Sequence, residues 1–149
     1  MAFSIMRRVA VRRSPIHGKG VFALRQITAG DRILEYKGIV TTWKSAIRRH
    51  ERDGVEGHTF LFGLSDGRVI DGGQEGNSAR WVNHACAANC EAIEESGRVY
   101  FHATKDLEPG MELLIDYALE LDVPVTDEIA RGYICRCGSP ICRGTMLGI

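Results

Sequence analysis

The amino-acid sequence predicts a single domain of the mostly β class, made of several small sheets with few short helices. Seventeen glycines among 149 residues and repeated turn motifs divide the chain into short apolar runs, which is typical of short strands joined by irregular links. Only two stretches carry a helical pattern. The length lies within the usual range of one domain, and the composition, 44% hydrophobic and 26% charged, is that of an ordinary globular protein.

Eight apolar runs bounded by turn residues predict β-strands. Two of the turns are hairpins, since the tetrapeptides 65–68 and 95–98 each place a glycine between two such runs. The tripeptide 108–110 is a tight turn in which Pro109 presets the backbone. The predicted strands are residues 9–12, 20–23, 32–36, 60–64, 69–70, 92–95, 99–103 and 112–115.

Two short helices are predicted as insertions among the strands. Residues 42–52 place Trp43, Ala46 and Ile47 on one face and arginines on the opposite face, which is the pattern of a surface helix. Residues 126–132 begin with a threonine that suits a helix cap, continue with two acidic residues and end at a glycine.

The charge balance and the hydropathy pattern argue against several function classes. Nineteen basic and nineteen acidic residues cancel, whereas non-specific nucleic-acid binding needs a net basic face, so we expect no direct nucleic-acid partner. No apolar run approaches the roughly 20 residues of a membrane span, and the N-terminus has no signal-peptide pattern. We therefore expect an intracellular protein with no membrane partner.

Five cysteines lie in the second half of the chain, and none precedes Cys86. Clustering of this kind in an intracellular chain favours a metal site over disulfides. Cys135, Cys137 and Cys142 form a C-x-C-x4-C motif, which supplies three of the four thiolates that structural zinc prefers. Either Cys86 or Cys90 is expected to supply the fourth ligand.

Residues 80–86 form a short segment dense in polar groups. Within seven residues it holds a guanidinium, a carboxamide, an imidazole and a thiol, from Arg80, Asn83, His84 and Cys86. Few structural roles need all four groups so close together. Since apolar residues interrupt the segment and would hold it in place, we expect it to line a pocket.

Two further motifs carry groups that suit a ligand pocket. Gly18 and Gly20 precede a predicted strand, and glycines there let a ligand lie against the backbone. The motif lacks the G-K-[ST] ending of a phosphate-binding loop. Tyr36 and Tyr117 each end a predicted strand beside an acidic residue, so their hydroxyls either serve one narrow pocket or are satisfied within the core.

Taken in order, these motifs resemble those of SET-domain protein-lysine N-methyltransferases with a C-terminal post-SET zinc segment. No cysteine-rich segment precedes the domain, so the resemblance implies a minimal, free-standing member of the prokaryotic kind. Such a protein would be cytoplasmic, with a nuclear or host-delivered site of action as the alternative. The matching motifs are Gly18-x-Gly20, Glu35-Tyr36-x-Gly38, Arg80-x-x-Asn83-His84-x-Cys86 with Asn89-Cys90, Glu112-Leu113-x-x-Asp116-Tyr117 and the C-x-C-x4-C.

The resemblance implies a SET-domain fold of small sheets around a pseudoknot, where the Asn83-His84 segment and the strand ending at Tyr117 pass through one another. S-adenosyl-L-methionine would bind on one face, and the target lysine would enter from the opposite face through a narrow channel. The implied parts are a SET domain at residues 1–119 with an insert at 41–59, a linker with a short helix at 120–132, and a post-SET zinc segment at 133–149.

The resemblance also implies roles for individual residues. Tyr36 and Tyr117 would be the catalytic residues that line the methyl-transfer channel, and Phe60 and Ile115 would border it. The cofactor-binding residues would be Gly18, Lys19, Gly20, Arg80, Asn83, His84 and Tyr117. The zinc ligands would be Cys86, Cys135, Cys137 and Cys142, which leaves Cys90 as the odd thiol.

The implied function is transfer of methyl groups from S-adenosyl-L-methionine to the side-chain amine of a lysine in a protein or peptide substrate, such as a histone tail. A non-catalytic SET-like module that binds peptides is the alternative. Two departures from the family pattern matter: Ile115 replaces Phe or Tyr, which predicts addition of more than one methyl, and Phe60 replaces a frequent Tyr. A thiol hydrolase built on His84 and Cys86 is disfavoured, because zinc would consume the thiol.

Overall fold

The computed structural model describes residues 7–53 and 60–117 and, nearer the C-terminus, residues 126, 127, 131, 135, 137 and 139–145. Within these residues the predicted mostly β class is confirmed, with three small sheets, an α-helix of eleven residues and a 3₁₀ turn. The elements are β1 (Val9–Arg13), β2 (Lys19–Ala23), β3 (Arg32–Tyr36), β4 (Ile39–Thr41), α1 (Trp43–Asp53), β5 (Leu61–Gly63), β6 (Val69–Asp71), the 3₁₀ turn Ser78–Trp81, β7 (Asn83–His84), β8 (Cys90–Glu95), β9 (Arg98–Ala103) and β10 (Leu114–Ile115).

Each of the eight predicted strand regions contains a strand, although several bounds differ. The hairpin turn between β8 and β9 has Ser96 and Gly97 at φ of 53° and 79°, the left-handed pair that a tight hairpin requires. The sequence does not predict β4 and β7, which are only three and two residues long. Of the predicted helix 126–132, only residues 126, 127 and 131 lie within the described part of the chain.

Helix α1 confirms the helix predicted at 42–52, but only part of its expected apolar face is buried. Thr42 caps the helix, because its Oγ1 accepts a hydrogen bond from the Ser45 N–H at 3.2 Å. Ala46 is 1% exposed and packs against β5 and β6, whereas Trp43 and Ile47 are 41% and 40% exposed. The small side chain of Ala46 lets the helix approach the sheet closely and leaves the larger residues at its margin. Among the described residues, no helix has the length and apolarity that crossing a bilayer requires.

Strand β10 occupies the interior of the largest sheet. This five-stranded sheet has the order β3-β9-β8-β10-β7, and β10 runs parallel to both β7 and β8. Leu114 and Ile115 are in register with Asn83 and His84. The strand that leads to Tyr117 therefore lies directly beside the Asn-His segment, as the expected crossing requires, while the threading itself stays a prediction.

Asn89 helps to hold β10 in this position. Its side-chain Nδ2 donates to the Glu112 carbonyl oxygen and its Oδ1 accepts from the Leu114 N–H, both at 2.8 Å. Its backbone N–H also donates to the Leu114 carbonyl oxygen at 3.1 Å. The buried carboxamide thus acts as an additional peptide unit beside a strand that has only two residues of its own.

One main hydrophobic core extends from these strands to the candidate tyrosines. Phe101 and Leu113 are fully buried, and burying side chains of that size contributes about 1.5–3 kcal/mol each. Tyr36 and Ile115 belong to the same core, and Tyr117 packs against it. The two tyrosines are therefore held by close packing rather than by a surface loop.

Candidate functional site

Asn83 lies where three segments of the chain meet. Its side-chain Nδ2 donates hydrogen bonds to the carbonyl oxygens of His17 and Lys19, at 3.1 and 2.9 Å, and to Glu112 Oε2 at 2.8 Å. The residue is buried, with 8% exposure. The structure thus brings the Asn83 carboxamide to residues 17–20, which comprise the end of the turn before β2 and the first two residues of β2 and are called the loop 17–20 below. In the sequence, 64 positions separate Asn83 from Lys19.

The two glycines of this loop are required for different reasons. Gly18 has a φ of +46°, and a Cβ there would meet nothing within 4 Å, so backbone conformation rather than space favours glycine. At Gly20 a Cβ would collide with the Glu112 carboxylate. That carboxylate also accepts a hydrogen bond from Ser14 Oγ, at 2.8 and 2.9 Å from its two oxygens. The loop is therefore braced from one side by a carboxylate, while Gly18 and Lys19 are exposed on the other.

His84 is fixed through both of its ring nitrogens. Nδ1 accepts a hydrogen bond from the Tyr117 backbone N–H at 2.9 Å, so the proton of the neutral ring is on Nε2, which lies 3.6 Å from Cys86 Sγ. Burial lowers the pKa of His84 and outweighs the opposing effect of the nearby Asp116 carboxylate. A neutral His84 thus connects the backbone of Tyr117 with the thiol of Cys86.

Both candidate tyrosines donate their hydroxyl hydrogens to backbone carbonyls. Tyr117 Oη lies 2.5 Å from Val82 O, and Tyr36 Oη lies 2.6 Å from Phe60 O. Burial raises the pKa of both phenols, and the charge of Glu112 adds to the shift at Tyr117. The phenols are therefore neutral, and each oxygen keeps lone pairs that accept hydrogen bonds.

Two cations and two aromatic rings form a stack beside the loop 17–20. Lys19 Nζ lies 4.9 Å from the centroid of the Trp81 ring, and the Arg80 guanidinium lies 4.6 Å from the same centroid. The Phe60 ring meets Trp81 edge-on, with centroids 5.3 Å apart. Cation–aromatic contacts of this kind contribute about 0.5–1 kcal/mol each at exposed sites. Trp81, which the sequence pattern marks only as an apolar residue, thus contacts both Arg80 and Lys19.

Four thiols converge on the far side of His84. The Sγ atoms of Cys86, Cys135, Cys137 and Cys142 all lie within 4.8 Å of one another. Burial raises the pKa of Cys135 to about 12. Burial also opposes ionisation of Cys137, but hydrogen bonds from the backbone at Cys86 and Ser139 outweigh it and lower the pKa to about 6. A structural zinc site needs four ligands in a tetrahedron, with zinc–sulfur distances of about 2.3 Å. The four thiols supply that number of ligands, and their sulfur atoms lie close enough together to surround one ion.

Cys90 is excluded from this cluster by its place in the sheet. It begins β8, is 3% exposed, and has its pKa raised to about 11 by burial. The sequence leaves Cys86 and Cys90 open as the partner of the C-x-C-x4-C motif, and the structure brings Cys86 to the other three thiols. Backbone N–H groups point at three of the clustered sulfurs, from Arg143 to Cys86 and from Gly144 to Cys142, both at 3.3 Å, and from Cys137 to Cys135 at 3.4 Å.

Arg143 and Asp116 form an ion pair that sequence reasoning misses. The Arg143 guanidinium donates two hydrogen bonds to the Asp116 carboxylate. The pair links the thiol cluster to the segment of Tyr117, because the Arg143 N–H donates to Cys86 Sγ and Asp116 directly precedes Tyr117. The available signal was the position of Arg143 directly after a cysteine, which does not by itself indicate a partner.

Comparison with known families adds to this geometry. The family model of the SET domain matches residues 18–118, and these residues include the loop glycines, Asn83, His84 and both candidate tyrosines. The chain belongs to the SET-domain family. The thiols of Cys135, Cys137 and Cys142 lie outside the matched SET domain, so the post-SET character of the C-terminal segment stays a prediction.

Curated relatives of this SET domain carry names that state a reaction. A "Histone-lysine N-methyltransferase, H3 lysine-4 specific" of Neurospora crassa is 36% identical over 139 residues, which cover 89% of this chain and 10% of the relative. "Histone-lysine N-methyltransferase set1" of Dictyostelium discoideum is 35% identical over 148 residues, 94% of this chain and 9% of the relative. A Schizosaccharomyces pombe enzyme with the H3 lysine-4 name is 34% identical over 138 residues, 88% of this chain and 14% of the relative. The matched part of the chain thus covers between 9% and 14% of the length of these relatives.

Proposed function

We propose that this SET domain transfers methyl groups from S-adenosyl-L-methionine to the side-chain amine of a lysine in a protein substrate. The observation that supports this best is the hydrogen bond from the Tyr117 N–H to His84 Nδ1, because it joins the polar segment to the strand-end tyrosine. The names of the relatives, all histone-lysine N-methyltransferases, point to the same reaction. A histone tail is therefore the substrate class that we propose.

The proposed methyl-donor site is formed by the loop 17–20 and the polar segment 80–86. When bound, S-adenosyl-L-methionine supplies a methyl group that is activated by a positively charged sulfur. The chain offers exposed peptide groups in the loop, a fixed carboxamide and the two stacked cations, a set that suits the amino and carboxylate groups of an amino-acid ligand. The proposed cofactor-binding residues are Gly18, Lys19, Gly20, Arg80, Asn83, His84 and Tyr117.

Tyr36 and Tyr117 are the proposed catalytic residues, and Phe60 and Ile115 border the lysine channel. Methyl transfer to an amine is an in-line displacement, so alignment of the lysine supplies much of the catalysis. The phenol oxygens keep lone pairs that orient the lysine amine and accept weak C–H···O contacts from a methyl group. Buried surroundings also favour the reactive neutral amine, because desolvation lowers a lysine pKa.

We further propose that more than one methyl is added. Ile115 is 4% exposed and is part of the main core, so its side chain presents a purely apolar surface. It has no hydroxyl to hold a water molecule beside the lysine amine, which leaves that volume to a second methyl. Mass spectrometry should therefore find di- or trimethylated product, and a strictly monomethylated product would refute the proposal.

The four-thiol cluster is the proposed structural zinc site. Residues 133–149 would then form the post-SET segment, joined to a SET domain at 1–119, with its insert at 41–59, by a linker at 120–132. Because Cys86 is two residues from His84, zinc would fasten the C-terminal segment beside the proposed channel. The relatives named above come from eukaryotes, so the free-standing prokaryotic type and a cytoplasmic location stay predictions.

The proposed reaction is tested by incubating the zinc-loaded chain with labelled S-adenosyl-L-methionine and either histone H3 tail peptides or lysate proteins. Mass spectrometry should locate the label on lysine side chains. The Asn83→Ala variant is the control, and it should bind the donor weakly and transfer little label. Peptide binding without any transfer would instead favour a non-catalytic peptide-binding module.

A further inference from the structure

The backbone of Glu112 is held against β2, and this sets the direction of its side chain. Glu112 forms an isolated antiparallel bridge with Phe22, and the residues on both sides of Glu112 share hydrogen bonds of 2.8 Å with β2. The carboxylate consequently extends across Gly20, where a Cβ would collide with it. The absence of a side chain at Gly20 thus leaves room for the carboxylate of a residue 92 positions away in the sequence.

The Glu112 carboxylate connects the loop with the Asn-His strand. On the loop side it accepts from Ser14 Oγ. Ser14 is itself fixed, since its N–H donates to the Gly18 carbonyl oxygen at 2.7 Å and its Oγ accepts from the Ile16 N–H at 3.0 Å. On the strand side Glu112 Oε2 accepts from Asn83 Nδ2 at 2.8 Å. One carboxylate therefore holds both walls of the proposed methyl-donor site.

The groups that contact Asn83 Nδ2 determine which way the carboxamide faces. All three are acceptors, namely the carbonyl oxygens of His17 and Lys19 and the Glu112 carboxylate. The amide nitrogen must face such a set, so the amide oxygen turns away from it. An ionised carboxylate only accepts hydrogen bonds, whereas a glutamine at the same position could also donate to the amide oxygen and permit the reversed orientation.

We propose that Glu112 is a positioning residue that fixes the Asn83 carboxamide in the single orientation in which Oδ1 faces the methyl donor. The proposal rests on the proposed function, because it concerns the donor site. Glu112 acts through Asn83 and touches neither the donor nor the lysine. Its loss should therefore affect donor affinity more than the rate of the chemical step.

The test is titration calorimetry with S-adenosylhomocysteine, the product form of the donor, on the full chain. Glu112→Gln should weaken binding about tenfold, because it replaces a charged acceptor. The control is Glu108→Gln, which changes a carboxylate in the preceding turn and should leave binding unchanged. In an Asn83→Ala background, Glu112→Gln should have no additional effect, since its action passes through Asn83. Additive losses, or full affinity in Glu112→Gln, would overturn the proposal.

Kinetics and NMR supply readouts that a purely structural role would not change in the same way. Glu112→Gln should raise KM for the donor while kcat at saturating donor stays within about twofold, and the Asn83 side-chain amide signals of the ligand-free protein should shift.

If Glu112→Gln does not fold, Ser14→Ala should still weaken binding of S-adenosylhomocysteine about threefold by releasing one side of the carboxylate. Full affinity in Ser14→Ala would overturn the proposal. A wild-type chain that neither binds S-adenosylhomocysteine nor transfers methyl groups would overturn the proposed function and this proposal together.

Discussion

The Arg143 guanidinium holds the Asp116 carboxylate through two hydrogen bonds, from Nη1 to Oδ2 at 2.7 Å and from Nη2 to Oδ1 at 3.0 Å. Asp116 immediately precedes Tyr117, and the Arg143 backbone N–H donates to Cys86 Sγ at 3.3 Å. One residue of the C-terminal segment therefore contacts both the thiol cluster and the strand that leads to the proposed catalytic tyrosine. Forked pairs of this kind fix orientation as well as charge.

Breaking this pair should reduce activity more than stability. Arg143→Ala should lower kcat/KM about tenfold, because small displacements of a catalytic group are costly. The same change should lower the free energy of unfolding by only about 0.2–1 kcal/mol, since the pair is about one-third exposed. Arg143→Lys keeps the positive charge but cannot make both hydrogen bonds at once, so its kcat/KM should lie between those of the wild type and Arg143→Ala. Arg68→Ala, which breaks the exposed pair with Asp66, is the matched control, and an Arg143→Ala enzyme as active as this control would contradict the prediction.

Tyr117→Phe should remove a catalytic hydroxyl and a buried hydrogen bond together. We expect kcat to fall about 100-fold or more, in the range typical of a group that orients or deprotonates a substrate. Because the Val82 carbonyl loses its donor, the free energy of unfolding should also fall by about 1 kcal/mol. Single-turnover methyl transfer and urea denaturation measure the two effects, with Tyr100→Phe as the control. An unchanged kcat would show that the hydroxyl is only a core group.

Zinc content should distinguish the four clustered cysteines from the fifth. The wild-type chain should contain one zinc, and Cys135→Ser should lose most of it, because three thiolates no longer close a tetrahedral site. The same variant should raise KM for the peptide, since the C-terminal segment is released beside the channel. Cys90→Ser should retain zinc. Full activity in a zinc-free Cys135→Ser chain would rule out the coupling between metal and turnover.

Cys90 should make the folded state sensitive to alkaline pH. Burial raises its pKa from 9.0 to about 11 in the folded state, so the folded protein holds the thiol proton more tightly than the unfolded chain. This contribution to stability is fully present below about pH 9 and is lost as the pH rises through 11. Urea unfolding at several pH values should show the decline, and Cys90→Ala should make it less steep. Equal slopes in the two proteins would refute this assignment.

The side chain at position 115 should control the number of methyls. Ile115→Tyr adds a hydroxyl that can hold a water in the lysine channel, so the product should shift toward monomethyl-lysine. Ile115→Phe adds comparable bulk without the hydroxyl and is the matched control, which should still permit more than one methyl. Both variants enter a packed core and should cost about 1–3 kcal/mol of stability. Identical product distributions in the two variants would contradict a role for the hydroxyl.

Local signals explain why most of the strands could be predicted from the sequence. The hairpin at Ser96–Gly97, for instance, has its turn and both apolar runs within one short stretch. Strand β7 has no such signal, because Asn83 and His84 are polar and become a strand only when β10 lies beside them. The sequence also does not show that Ala46 rather than Trp43 is the buried residue of helix α1, since helical periodicity does not reveal which residue of a face reaches the neighbouring sheet.

The residues of the candidate site could be predicted where they belong to a short motif with a recognisable spacing in the sequence. The residues that hold the motifs together were not, because Ser14 and Glu112 are 98 positions apart and no pattern in the sequence pairs them. Motif spacing alone did not separate Cys86 from Cys90, and the family resemblance pointed to Cys86. The fold agrees with that assignment, because Cys86 lies with the other three thiols and Cys90 is buried in β8.

The position of β10 has a consequence for how the protein is made. β7 and β8 leave the ribosome well before β10, yet β10 lies between them in the finished sheet. Until it arrives, both strands have open edges, and such edges readily pair with other chains. The non-local pairing should also slow folding relative to a domain with local contacts. A chain that ends before Leu114 would contain β1 to β9. It would still lack a continuous sheet, because β10 joins β7 to β8.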